Sequence, residues 1–147
     1  MGQKPRITGF EVIQFDLPPM EDMGTDYNGF NVIYEQGSSI PRQGSVLRMY
    51  TSVGVTAEIA SGAGLVAQAR YRNYLLGKNP LERERIYQDL KRALRQQARM
   101  GMAQIDVLLW DFAGKYYNAP VYELLGEHIK PLPCYASTTH GDTTAAS

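Results

Sequence analysis

Hydrophobic and polar positions change their pattern near Gly64, from strand-like runs to helical periodicity. Residues 7–15 are rich in β-branched and aromatic residues, which is typical of a strand. Both of its faces carry apolar side chains, so we expect both to be covered. Residues 46–52 and 56–60 are two further strand candidates separated by three residues around Gly54, which predicts a hairpin. The opening part of the chain therefore predicts a three-stranded antiparallel meander.

A long segment, residues 18–44, separates the first two strands. It is about twice the length at which structureless loops become uncommon, and such loops are usually functional or disordered. Its apolar content is too high for a solvated linker. Among these apolar residues are Tyr27, Phe30, Val32, Ile33 and Tyr34. We expect this loop to pack against another surface, at the edge of a ligand.

The second half of the chain predicts a bundle of helices. Residues 65–76 form the first, and Gly77 ends it because glycine takes the left-handed conformation without steric cost. Asn79 as N-cap, Pro80 at the first helical position and Glu82 as a capping-box partner predict the start of the second. Its buried stripe recurs every fourth residue: Ile86, Leu90, Leu94 and Ala98.

A third helix is predicted over residues 102–117, and it is apolar almost all round. At 100° per residue, Asp111 and Lys115 fall within about 20° of Gln104 and form an i,i+4 pair on a narrow polar stripe. Asp106 lies on the opposite, apolar side, so we expect it to be buried.

A buried carboxylate at Asp106 has two interpretations. The structural one is a hydrogen bond to backbone amides or to a nearby arginine, and the functional one is a catalytic acid or metal ligand. We favour the structural interpretation because no companion ligand lies within helical reach of Asp106.

The last elements are a short helix that begins at Pro120 and ends at Gly126, and a strand over residues 132–137. Pro131 and Pro133 force the extended path into that strand. Its unpaired backbone groups would offer an edge to another strand. We expect the partner strands to belong to sequence outside this chain.

Composition narrows the choice of partners. The 147 residues suit one domain, and 15 basic residues balance 15 acidic ones, so no global field attracts nucleic acid or a membrane surface. The basic face of the second helix is interleaved with acidic residues and is interpreted as a solvated face.

No apolar run is long enough for a signal peptide or a membrane helix, which makes the cytoplasm the default location. Cys134, the lone cysteine, is interpreted as a small buried hydrophobe in a reducing compartment rather than a reactive thiol.

Three sequence motifs, together with the strand, loop, hairpin and helix order, resemble a known family. They are Leu-Gly-Lys-Asn-Pro at 76–80, Ala-Gln-Ile-Asp-Val-Leu-Leu-Trp-Asp at 103–111, and Pro-Val-Tyr-Glu-Leu-Leu-Gly at 120–126. The chain resembles the mandelate racemase and muconate-lactonizing branch of the enolase superfamily over about residues 6–140. Glu58 sits where such relatives often place a glutamate, whereas Ala57 replaces the glycine usually beside it.

The resemblance implies an α+β fold of the enolase N-terminal type, followed by the start of a (β/α) barrel. Residues 1–130 would form a capping domain, with the sheet in 6–60, a lid loop in 18–44 and the helices in 64–126. Residues 131–147 would form the first barrel strand and its loop, the remainder of the barrel being absent.

The resemblance also implies chemistry: abstraction of a proton α to a carboxylate by a lysine or histidine, with Mg²⁺ stabilising the enediolate. Later barrel strands supply those groups, so we expect no catalytic residue and no bound metal in this chain alone. The complete enzyme would be a Mg²⁺-dependent dehydratase or racemase acting on a sugar acid or other carboxylate.

Five residues are candidates for substrate contact. Tyr27, Asn28 and Arg42 belong to the lid, where they would meet an anionic, hydroxylated substrate. Thr138 and His140 follow the first barrel strand, at the end where barrel active sites lie. The alternative for the latter two is ordinary loop polarity.

The capping-domain hypothesis has one main rival, a freestanding α+β interaction or dimerisation module without activity. A small enzyme that uses Asp106 and a histidine is disfavoured. A capping domain predicts an exposed apolar surface where the barrel docks, and hence homo-oligomers or a partner chain. The rival predicts a particle of fixed stoichiometry whose terminal strand pairs internally.

Overall fold

The computed structural model describes residues 4–20, 39–60, 64–96, 101–126 and 131–134. Its elements follow in chain order: β1 (Ile7–Met20), β2 (Ile40–Thr51), β3 (Ala57–Ala60), α1 (Gly64–Leu75), α2 (Arg83–Ala93), α3 (Met102–Tyr117) and α4 (Val121–Leu124). The predicted α+β fold, a three-stranded antiparallel sheet followed by helices, is confirmed. The chain divides into two compact units, Met1–Phe15 with Gly44–Ile129 and Asp16–Gln43 with Lys130–Ser147.

The sheet has the order β1-β2-β3, and its register sorts side chains between two faces. Leu47 lies opposite Ile59, and Arg48 lies opposite Glu58. Because neighbouring side chains of a strand point to opposite faces, Leu47 is fully buried on the inner face. Arg48 and Glu58 lie on the outer face, where they form an ion pair.

The core lies between the inner face of the sheet and the helices, and α3 is its centre. This helix packs against β3, α1, α2 and α4. Six of its residues are buried: Met102, Ile105, Leu108, Leu109, Phe112 and Ala113. The nearly continuous apolar surface read from the sequence is therefore used by several neighbours at once.

The two long strands extend further than predicted. β1 continues through Pro18 and Pro19 to Met20, and β2 begins at Ile40. Proline is tolerated there because β1 is an edge strand, and an edge strand has one side that needs no N–H donor. Of the predicted 18–44 loop, residues 21–38 lie outside the described residues.

The expectation that both faces of the first strand are covered is wrong for most of its length. Glu11 is exposed and Phe15 is 43% exposed, and both project from the outer face of β1. Glu11 faces Arg48 there, at 3.3 Å between its Oε2 and the Arg48 Nη1. Within its unit, the sheet therefore has one buried face and one charged, accessible face.

The start of α2 also differs from the prediction, because Asn79 caps a turn and not the helix. Its Oδ1 accepts the Leu81 N–H at 3.0 Å, and its carbonyl accepts the Glu82 N–H at 3.0 Å. The helix begins only at Arg83. The predicted stop at Gly77 fits its φ of +78°, and Ile86, Leu90 and Leu94 are buried as expected, whereas Ala98 lies outside the described residues.

The end of the chain departs from the predicted strand. Residues 131–134 have no regular structure and are exposed, and the rest of the predicted 132–137 strand lies outside the described residues. Cys134 is exposed, so its interpretation as a buried hydrophobe is wrong. The reason is that residues 131–134 form no ladder with any described strand, so no sheet covers the cysteine.

None of the helices within the described ranges combines the length and apolar character needed to cross a bilayer.

Candidate functional site

Of the five residues predicted to contact substrate, only Arg42 lies among the described residues. Tyr27, Asn28, Thr138 and His140 lie outside those residues. Arg42 lies in β2, where it is exposed. A substrate role for all five stays a prediction.

Asp106 lies in a cavity of about 360 Å³ between α2 and α3. The cavity walls include Leu81, Glu84 and Tyr87. Across it, the Arg83 guanidinium stacks on the Trp110 ring, with its Cζ 3.8 Å from the ring centroid. Asp106 is partly buried, whereas the sequence predicted it to be buried. The cavity leaves one side of the carboxylate open.

Burial raises the pKa of Asp106, and the positive charge of Arg83 works in the opposite direction. The carboxylate of Glu84 adds a smaller upward contribution to that pKa. Among the residues that the structure describes, the Asp106 side chain accepts no hydrogen bond from a backbone amide. Arg83 acts on Asp106 through its charge, while its guanidinium stacks on Trp110. The structural interpretation of Asp106 stays a prediction.

Asp111, on the polar stripe of α3, has a role that the sequence did not reveal. Its Oδ2 accepts the Glu58 backbone N–H at 2.8 Å and lies 2.7 Å from the Lys115 Nζ. The lysine pair was predicted from the i,i+4 spacing. The bond to Glu58 follows from topology: β3 is an edge strand, and an edge amide needs an acceptor from outside the sheet. Asp111 therefore fastens β3 to α3.

An apolar groove runs between α3 and α4 beside β3, with a volume of about 370 Å³. Its walls are formed by Glu58, Val107, Trp110, Asp111, Val121 and Leu125. Val107 is 49% exposed and Leu125 is 62% exposed. Large apolar side chains left open in one groove are typical of a surface that another body covers.

No group of three acidic, histidine or cysteine side chains that could hold a metal ion occurs among the described residues. Mg²⁺ in proteins takes oxygen ligands in octahedral geometry and is usually held through one or two carboxylates, water and substrate oxygens. Among the described residues, no such cluster of three side chains is present.

Comparison with known proteins identifies a family match and similar proteins. Residues 46–126 match the N-terminal domain of the mandelate racemase / muconate lactonizing enzyme family. The chain is 41% identical over 66 residues to D-galactarolactone cycloisomerase of Agrobacterium fabrum, covering 42% of this chain and 17% of the relative. It is 37% identical over 82 residues to L-talarate/galactarate dehydratase of Salmonella typhimurium, covering 52% of this chain and 21% of the relative.

A solved structure, D-glucarate dehydratase from Agrobacterium tumefaciens complexed with magnesium, is similar in fold, with a TM-score of 0.61 and 26% identity. The similarity covers 82% of this chain and 32% of that one. The chain thus spans about a fifth of the length of the two relatives and about a third of the solved structure.

Proposed function

Because the chain belongs to the mandelate racemase / muconate lactonizing enzyme family, whose N-terminal domain matches residues 46–126, we propose that it is the capping domain of an acid-sugar dehydratase or isomerase. The family match carries this proposal. In this role the chain shapes a substrate pocket and supplies no catalytic group of its own.

The substrate class is inferred from the similar proteins. Their names describe a cycloisomerase of a galactarolactone and dehydratases of talarate, galactarate and glucarate. These substrates are sugar acids or a lactone of one. We infer that the complete enzyme takes a proton from the carbon α to a carboxylate, with a base from the barrel.

Magnesium is proposed for the complete enzyme because the similar D-glucarate dehydratase was solved with magnesium. Following the family resemblance, we assign the ligands of the ion to the barrel, and no step of the reaction to α1–α4 or to the sheet.

The domain arrangement is part of the same proposal. Residues 1–130 would act as the cap and residues 131–147 would lead into the barrel. The apolar groove supports a docking role, since Val107 and Leu125 leave nonpolar surface open to water within their unit. Tyr27, Asn28, Arg42, Thr138 and His140 are retained as proposed substrate contacts.

A chimera tests this function. The N-terminal region of the Salmonella typhimurium L-talarate/galactarate dehydratase is replaced by the matching residues of this chain, and dehydration of galactarate is measured with Mg²⁺. We expect the chimera to be more active than the dehydratase that lacks its own N-terminal region. Leu125→Glu in the groove should reduce the activity of the chimera. Leu76→Glu, at another partly exposed leucine, is the matched control and should leave it unchanged.

A chimera that folds yet is no more active than the truncated dehydratase would contradict the proposal. If, in addition, the 147-residue chain forms a dimer of fixed stoichiometry, the freestanding interaction module becomes the better explanation. Light scattering on the purified chain measures that stoichiometry.

A further inference from the structure

A third concave surface, at the start of β1 and the turn between α1 and α2, carries a local excess of positive charge. We call it the basic cavity; its volume is about 380 Å³. Arg6, Lys78 and Arg85 line it with one carboxylate, Glu82. Three cations against one anion leave two uncompensated positive charges, although the chain as a whole is neutral.

The backbone holds Arg6 and Lys78 together. The Ile7 N–H donates to the Lys78 carbonyl at 2.9 Å, and the Gly77 N–H donates to the Ile7 carbonyl at 2.8 Å. The Arg6 Nη1 also donates to the Gly77 carbonyl at 2.9 Å. The left-handed conformation of Gly77, with φ +78°, lets the turn meet β1 in this way. The backbone at both cations is therefore held by hydrogen bonds between β1 and the turn. A backbone that is already ordered loses less conformational entropy when a ligand binds.

The positive charges of Arg6 and Lys78 are not balanced by carboxylates within the described ranges. The Lys78 Nζ lies 4.3 Å from the centroid of the Tyr74 ring, and the Arg6 guanidinium bonds to a carbonyl. The one carboxylate of the cavity, Glu82, pairs with Arg85 at 3.4 Å. Like charges that line one cavity repel each other, and an anion bound there relieves that repulsion.

We propose that the basic cavity binds a small phosphate-bearing anion, with Arg6 and Lys78 as its main contacts. Arginine offers paired N–H donors that match phosphate oxygens, and lysine adds a compact point charge. The volume falls within the range of about 300–1,000 Å³ found for ligand pockets, so a phosphate ester of a small molecule fits as well as inorganic phosphate. This proposal does not depend on the proposed function.

The test is calorimetric titration of the 147-residue chain with inorganic phosphate and with glycerol phosphate, at constant ionic strength set with sodium chloride. We expect saturable binding. Arg6→Gln and Lys78→Gln should each weaken it about tenfold, the effect of one lost charge-assisted hydrogen bond. Glu82→Gln, which removes the opposing carboxylate, should tighten it. Tighter binding of glycerol phosphate than of inorganic phosphate would identify an ester as the preferred ligand.

Arg95→Gln is the matched control, because it removes the same charge from an exposed arginine outside the cavity. It should change the affinity by less than about twofold, since exposed charges at a distance are screened by salt. Absence of saturable binding by both probes would overturn the proposal, as would an equal loss in Arg95→Gln and Lys78→Gln. Arg6 also bonds to Gly77, so Lys78→Gln and Glu82→Gln keep the test decisive if Arg6→Gln fails to fold.

Discussion

At the scale of single residues, Asp111 shows how one side chain can hold an edge strand. Its carboxylate accepts the Glu58 N–H at 2.8 Å and pairs with Lys115. Asp111→Ala leaves that amide without its acceptor, and we expect the free energy of unfolding to fall by about 1–3 kcal/mol. Urea denaturation measures the loss.

Lys115→Ala is the control for the ion pair, because it leaves the Glu58 bond in place. The lysine side chain is 44% exposed, so its removal should cost at most about 1 kcal/mol. Equal losses in the two variants would show that the ion pair, and not the strand amide, carries the stabilisation.

Replacing Asp106 should stabilise the chain, whereas replacing Asp111 should destabilise it. Burial raises its pKa in the folded chain. A raised carboxyl pKa contributes stability below the unfolded value of about 3.9, and that contribution is lost as the pH rises through the folded value. Asp106→Asn should therefore raise the free energy of unfolding at pH 7, and the gain should shrink toward pH 4.

The sole tryptophan, Trp110, lines the same cavity as Asp106, so its fluorescence can follow unfolding at each pH. A gain in Asp106→Asn that is independent of pH would instead indicate a change in packing or hydrogen bonding.

At the scale of elements, α3 has one face buried in the core and another face that is partly exposed. Leu108 is 0% exposed and its neighbour Val107 is 49% exposed. Leu108→Ala should destabilise the chain by about 2–5 kcal/mol because it leaves a cavity in the core. Val107→Ala should cost less than about 1 kcal/mol. Thermal unfolding of the two variants measures both, and similar losses would mean that Val107 is covered in solution.

A hydrogen bond joins α1 to α2, with the Tyr74 hydroxyl 2.6 Å from the Asp89 Oδ2. Burial, followed by this bond, raises the pKa of Tyr74 to about 12. The same bond, followed by Arg92, lowers the pKa of Asp89. The tyrosine contribution to stability is present below about pH 10 and is lost toward pH 12, and the aspartate contribution is present above about pH 4 and is lost in acid.

Tyr74→Phe should thus be less stable than the parent chain between these limits, and the difference should narrow at both ends. Urea midpoints across the pH range measure it. Tyr87→Phe, which removes the same atom from a partly buried tyrosine of α2, is the control. A difference that stays constant from pH 4 to pH 12 would contradict the assignment to the Tyr74 bond.

How well each element was predicted depended on whether local signals or tertiary contacts set its limits. The bounds of α3 follow from its own apolar pattern and agree with the structure. The start of α2 does not agree with the prediction, because Asn79 can cap a turn as well as a helix. The turn at Gly77 is also held by hydrogen bonds to β1. β1 passes through Pro18 and Pro19 because its position at the sheet edge, which local sequence does not encode, removes the usual penalty.

The candidate site was predicted less completely than the fold. The spacing of Asp106 placed it on the apolar side of α3, but the cavity beside Arg83 depends on how α2 crosses α3. Likewise, the acceptor role of Asp111 depends on which strand lies at the edge of the sheet. Both features arise from packing between segments that are far apart in the sequence, and sequence periodicity does not predict such packing.

At the scale of the whole molecule, the apolar groove determines how the chain behaves alone. Leu125 is 62% exposed, and an open nonpolar groove favours self-association. We expect the purified chain to bind a hydrophobic dye and to self-associate, as seen by light scattering. Leu125→Glu should reduce both, while its free energy of unfolding changes by no more than about 0.5 kcal/mol.

Leu76→Glu serves as the control for added negative charge, since Leu76 lies outside the groove. An equal reduction in that variant would assign the self-association to general charge repulsion. A chain that shows neither dye binding nor association would mean that the groove is already covered.

The position of Asp111 in the wall of the groove has a consequence for motion. Any body seated there would exclude water from the carboxylate that holds the Glu58 N–H, and such a bond strengthens as the surrounding dielectric falls. Docking would thus stiffen the hairpin, and hydrogen–deuterium exchange at the Glu58 amide would slow on assembly.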